Sequence, residues 1–305
     1  MISTPDFSAF RTHPAPWRIY DGRLYDANDQ EVLVAGVNIT AGACFPASTS
    51  QANSWASKMF RMGIRAVRLH HLDVPIQDWG YDPIRVQWLL NALKRKGIPC
   101  LMEMSSQKPW NPEYVKRMLS LDLSNVVAIS PANENPEDPF EEHSQFIRDH
   151  YEGLVFGSNS VKQGGDAGDI NDLHLYLDYP NGDIFWDTRY SEQPWIHPIA
   201  SPPFVCTELG SLYPSPNRGN EERAMVDDLL AKGCQAIFMF ALCTNEWQYL
   251  ASSKALDQFG FHSDPERMDT LCYLTSKVNQ REFVPRTFDP TFKAVRVDQW
   301  TWKRV

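Results

Sequence analysis

Several apolar runs in this chain stop at residues that can do chemistry. Arg68, His70, His71 and Asp73 close "IRAVRLHHLD", and Asn133 and Glu134 close "NVVAISPANEN". His174, Tyr176 and Asp178 lie in "NDLHLYLDYP", Glu208 in "PPFVCTELGS", and Asn245, Glu246 and Trp247 follow "CQAIFMFALC". A carboxylate beside a low-dielectric interior costs free energy unless it is paired, hydrogen-bonded or chemically employed. Two carboxylates facing one pocket can cleave a glycosidic bond, one donating a proton to the leaving oxygen, the other attacking the anomeric carbon. A separation of about 5–5.5 Å between them specifies a covalent intermediate and retained configuration.

The neighbours have physical roles in that chemistry. Arg68 beside Glu208 keeps that carboxylate ionised, and Tyr176 hydrogen-bonds and orients it. Asn133 is placed to bond the sugar hydroxyl next to the anomeric carbon, and Glu134, less compensated, keeps its proton near neutral pH. Singly, each residue also fits a structural job. Arg68 could serve an ion pair, a strand histidine is usually a satisfied polar group, Tyr176 could be core, and Glu134 could begin a helix, although Glu137 and Asp138 suit that better. Their convergence on one rim is what favours chemistry.

A scaffold must bring them there. "WRIYDGRLYDANDQEVLVAGVNI" alternates apolar and polar residues around Asp21-Gly22 and Asn28-Asp29, the pattern of a hairpin leading into an unbroken apolar strand. Strand-like runs and amphipathic helices then alternate, with Pro83 near the start of one helix and Gly63 and Gly97 past the ends of two. Only the short "SVKQGGDAGDI" separates the fifth and sixth strands, so a helix there is short or absent. Continuous apolar strands are covered on both faces, as in a parallel sheet. Eight of them in one chain predict an α/β fold, a (β/α)8 barrel with an N-terminal β-hairpin and a short C-terminal extension. The expected organisation is a single catalytic domain over 1–305, with the hairpin at about 17–32 and the extension at about 283–305.

Composition narrows the partners. A net charge of −9 over 305 residues argues against nucleic acid, since neutralising phosphates takes clustered Lys and Arg. No apolar run reaches the roughly 18 residues of a membrane span, and no signal peptide is visible, so a soluble, cytoplasmic protein or one trimmed of its leader is expected. The 6 cysteines form no CxxC pair, and Cys100, Cys206 and Cys243 sit in apolar strands as small hydrophobes.

The order of these motifs resembles the clan A glycoside hydrolases, closest to family 5, the cellulase and mannanase type. The matching pieces are the hairpin "IYDGRLYDANDQEVLVAGVN", Arg68 in "AVRLHH", Asn133-Glu134, "HLY" at His174–Tyr176, and "TELG" at Glu208. The resemblance implies a TIM barrel, Glu134 as acid/base, Glu208 as nucleophile, support from Arg68, Asn133, His174 and Tyr176, and no cofactor or metal. It departs from the family in three places. Asn135 stands where many relatives have Pro, "MEMSS" ends the third strand without the usual His, and "FMFALC" lacks the usual Trp, leaving Trp247 as a stand-in.

The expected activity is retaining hydrolysis of a neutral polysaccharide, of endo-β-mannanase or endo-β-glucanase type. Its substrate is an oligo- or polysaccharide held by His70, His71, Asp73, Trp79, Trp110, Trp186 and Trp247, the tryptophans stacking on sugar rings. Two other readings stay open. One is metal-assisted hydrolysis through His70, His71, Asp73 and His174; the other is a non-catalytic carbohydrate-binding barrel.

Overall fold

The computed structural model describes residues 17–40, 46, 48–70, 72, 83–104, 110–133, 140–157, 168–177, 203–211, 218–243, 265–280, 294–298 and 301–304. The first two strands, β1 (Trp17–Tyr20) and β2 (Arg23–Asp26), form the expected antiparallel hairpin. Its turn places Asp21 and Gly22 at φ 47° and 71°, a conformation that Asp and Gly tolerate better than other residues.

Eight parallel strands follow: β3 (Val34–Thr40), β4 (Ala66–His70), β5 (Cys100–Glu103), β6 (Val126–Ser130), β7 (Leu154–Gly157), β8 (Ile170–Leu177), β9 (Phe204–Ser211) and β10 (Ala236–Cys243). Each pairs with the next and β10 pairs back with β3, closing the barrel. The described helices are α1 (Thr49–Arg61), α2 (Pro83–Lys94), α3 (Pro112–Leu119), α4 (Phe140–Arg148), α5 (Arg218–Ala231) and α6 (Pro265–Val278). Ser48 caps α1 by accepting from Gln51 N–H, and Asn111 caps α3 by accepting from Tyr114 N–H, with Pro112 in the first turn. Within the stretch expected as a C-terminal extension, β11 (Ala294–Asp298) and β12 (Thr301–Arg304) pair as a hairpin. The short segment between β7 and β8 and its possible helix lie mostly outside the described residues.

Two apolar layers hold the barrel. Outward-facing strand residues such as Val67, Met102, Cys206 and Leu209 pack against helix residues such as Met59, Leu90, Met118 and Leu229. Inside, Ala66, Leu101, Ile170, Val205 and Phe238 join Trp17, Leu24 and Val32 of the hairpin region. Phe238 pairs with Gly36, and a Cβ at Gly36 would run into the Phe238 ring, so only glycine admits that side chain to the barrel's centre.

Strand side chains repeat on one face every second residue. Along four inward rows the residue type changes at the next step: Ala66 to Arg68, Leu101 to Glu103, Ile170 to Asp172, Val205 to Thr207, all fully buried. The barrel is therefore apolar at its amino end and polar toward the carboxyl end, where barrel enzymes carry their sites.

Candidate active site

Glu208 owes its position to a bulge in β9. Leu173 pairs with Cys206, yet its neighbour His174 pairs with Glu208, so β9 carries one extra residue at Thr207. The pairing with β10 shifts over the same stretch, from Ile237 with Cys206 to Met239 with Leu209. Cys206 and Leu209 both face the helices, which leaves Thr207 and Glu208 to face the interior. Regular alternation would have turned Glu208 toward the same side as Cys206. Bulges next to sites commonly re-aim a side chain in this way.

Arg68, fully buried, holds that carboxylate. Its Nη1 donates to Glu208 Oε1 at 2.6 Å and to Asn38 Oδ1 at 3.0 Å. Its Nη2 donates to Glu103 Oε2 at 2.5 Å and to Asn133 Oδ1 at 3.0 Å. Each nitrogen of the fork thus bonds one carboxylate and one amide, a planar match that a lysine could not reproduce. Asn38 is fixed in turn, its Nδ2 donating to Thr207 O at 2.7 Å and to Met239 O at 3.3 Å. Burial disfavours the charged guanidinium, but Glu103, Glu208 and Asp172 more than offset it and raise the Arg68 pKa above its ordinary value. Arg68 is a permanent cation at any working pH.

A second group packs beside it. Thr207 Oγ1 donates to Asp172 Oδ2 at 2.6 Å, and Thr207 N–H donates to Asp172 Oδ1 at 3.0 Å. His174 Nε2 lies 3.2 Å from Asp172 Oδ2 and 3.0 Å from Thr207 Oγ1, while its Nδ1 lies 3.7 Å from Glu208 Oε2. One face of Glu208 therefore meets Arg68 and the other meets His174, and only 4 % of the residue is exposed.

Of the residues singled out in the sequence, the structure brings together Arg68, Asn133, His174 and Glu208. Tyr176 lies on β8 and His70 ends β4, but their side chains fall outside the described residues. Glu134, His71, Asp73, Trp79, Trp186 and Trp247 lie outside them altogether. Trp110 has another setting: its ring stacks on His143 of α4 at 3.9 Å, meets Phe146 edge-on, and its Nε1 donates to Pro131 O at 3.1 Å. One face of that indole is therefore covered by protein.

Asn38, Glu103, Asp172 and Thr207 belong to the cluster and were not singled out in the sequence. Their signal is a polar residue in the inward phase of an apolar strand, readable once the phase is known. Among the described residues no group of His, Cys, Asp or Glu is arranged to hold a metal ion. His174 contacts Asp172, Thr207 and Glu208. The buried thiols of Cys100, Cys206 and Cys234 are free; burial raises all three, Cys234 to about 12, as suits inert core residues. No described helix is long and apolar enough to cross a membrane.

No protein-family model matches the chain, and no curated protein matches it either. Solved structures do. An endo-β-1,4-mannanase from Thermotoga petrophila is similar with a TM-score of 0.60 at 14% identity, over 88% of this chain and 86% of that one. An endo-1,4-β-mannanase from Rhizomucor miehei gives 0.59 at 13%, over 87% and 99%. An endocellulase from Pyrococcus horikoshii gives 0.60 at 12%, over 87% and 99%. At these identities the likeness establishes a shared (β/α)8 barrel.

Proposed function

We propose that this chain is a retaining glycoside hydrolase that cleaves β-glycosidic bonds of a neutral polysaccharide, of the endo-β-mannanase or endo-β-glucanase type. The observation that carries the reading is Glu208, turned inward by a bulge and bonded to a buried arginine at the carboxyl end of the barrel. Structural neighbours described as mannanases and endocellulases support it.

In the proposed reaction Glu208 attacks the anomeric carbon while Glu134 gives its proton to the leaving oxygen. The carbon–oxygen bond to the leaving sugar breaks as a glycosyl ester to Glu208 forms. Glu134, now a carboxylate, takes a proton from water, whose oxygen attacks the same carbon and releases Glu208. Two inversions restore the starting configuration. Arg68 stabilises the carboxylate that leaves in the second step. Asn133, fixed by Arg68, bonds the adjacent sugar hydroxyl, and Tyr176 orients Glu208.

A panel of mannans, glucomannans and mixed-linkage or cellulosic glucans, followed by NMR of the first-formed anomer, tests the reading. Hydrolysis of at least one with β product first is the expected result; α product first, or no turnover on any, overturns it. Glu208→Gln should lower kcat by about 10^4-fold or more with the fold intact, the scale seen when a nucleophile is removed. Azide added to Glu208→Ala should give an α-glycosyl azide by taking the vacated place. Glu134→Ala should slow substrates with poor leaving groups most, because those need the proton.

A further inference from the structure

The proposed reaction gives no task to a buried carboxylate that shares the cation of its nucleophile. Glu103 ends β5, is fully buried, and meets the same guanidinium as Glu208, at 2.5 Å against 2.6 Å. A carboxylate in that place is costly to bury, and it draws on the one described cation beside the proposed nucleophile.

We infer that Glu103 is a positioning residue for Glu208, sharing the charge of Arg68 so that the proposed nucleophile stays ionised without being over-stabilised. The inference rests on the nucleophile assignment above. An arginine paired with one carboxylate depresses its basicity strongly, and a less basic carboxylate is a weaker nucleophile. A second carboxylate on the other nitrogen of the fork divides that attraction and adds like-charge repulsion through the guanidinium. It also fixes the rotation of the guanidinium plane, which aims Nη1 at Glu208 and Nη2 at Asn133. The charged and titratable groups described around Glu208 are Arg68 on β4, Glu103 on β5, Asp172 and His174 on β8, and the Cys206 thiol, which burial keeps neutral, on β9. Asp172 is committed to Thr207 and His174. Glu103 is therefore the carboxylate that competes directly for Arg68.

The test is Glu103→Gln, which keeps an oxygen for Nη2 and removes the charge. In full-length protein carrying carboxyl-labelled glutamate, the Glu208 carbon is assigned by its loss in Glu208→Gln and titrated by NMR without substrate. Its midpoint should fall by about one pH unit or more in Glu103→Gln, and the acidic limb of kcat/KM should move down with it. Glu103→Asp, which keeps the charge, should restore most of the wild-type midpoint. A lowered melting temperature with an unmoved midpoint means Glu103 is merely structural, and overturns the inference. Should Glu103→Gln fail to fold, the wild-type Glu208 carbon decides: a second inflection matching the Glu103 titration supports the coupling, and a single step overturns it. The NMR midpoint judges this inference, whereas retained activity in Glu208→Gln would defeat the nucleophile assignment itself.

Discussion

The two ends of the barrel solve opposite problems with the same strands. At the amino end, Leu101, Val205 and Phe238 fill the interior and the hairpin covers them, so dispersion and exclusion of water hold that half. One residue further along the same rows, Arg68, Glu103, Asp172 and Thr207 are equally buried but hold one another by charge and hydrogen bonds. The apolar half supplies stability that the polar half consumes. Buried ionic groups are weak evidence for stability. The comparison makes a sharp demand: damage at the carboxyl end should fall on activity as well as stability, and damage at the amino end on folding alone.

Arg68→Met tests the polar end hardest. It leaves Glu103 and Glu208 as neighbouring buried carboxylates without their cation, so unfolding free energy should drop by about 3–5 kcal/mol. Catalysis should also fail, with kcat/KM lowered by about a hundredfold or more as Glu208 and Asn133 lose their shared anchor. The acidic limb of the pH profile should rise by about one pH unit or more, because a carboxylate deprived of an opposite charge holds its proton longer. That direction is opposite to the one expected for Glu103→Gln. Phe238→Ala is the counterpart at the apolar end. Denaturant unfolding should show a loss of about 3–5 kcal/mol, while the folded fraction keeps its pH profile and most of its kcat/KM. A moved pH profile in Phe238→Ala would break the separation between the two ends.

The apolar end was also the more legible one. Unbroken hydrophobic runs between amphipathic helices announce a parallel, closed sheet, and Asp21-Gly22 announces the hairpin, because these signals are local. Arg68, Asn133, His174 and Glu208 were legible as polar residues interrupting such runs. Glu103 and Asp172 were not, since a carboxylate within "CLMEM" or "NDLHL" reads the same whether it faces helix or axis until the inward phase is fixed. Glu208 itself shows the limit: its phase is set by an extra residue at Thr207, and a bulge has no signature in the residue types. Trp110 shows a related limit. An aromatic after a strand end can stack on a ligand or on a neighbouring helix, and only the position of His143 separates the two.

The smallest expected effect is at the seam between hairpin and barrel. Gln235, just before β10, is 3 % exposed, and its Oε1 accepts from Leu24 N–H at 2.8 Å. Its Nε2 donates to Leu24 O at 3.1 Å and Val32 O at 3.2 Å, so one side chain ties the hairpin region to the barrel. Gln235→Ala removes those partners but leaves space for water, and should cost about 1–3 kcal/mol. Gln235→Leu fills the space with an apolar group, excludes the water, and should cost more than Ala despite its better packing. Hydrogen exchange at the Leu24 amide should quicken in both variants, faster in Leu, with kcat/KM in the folded protein within about twofold of wild type, the level at which distant sites stay independent. If activity instead fell in step with hairpin loosening, the amino end would be setting the geometry of Arg68 and Glu208 through the strands, and the division of labour between the two ends would not hold.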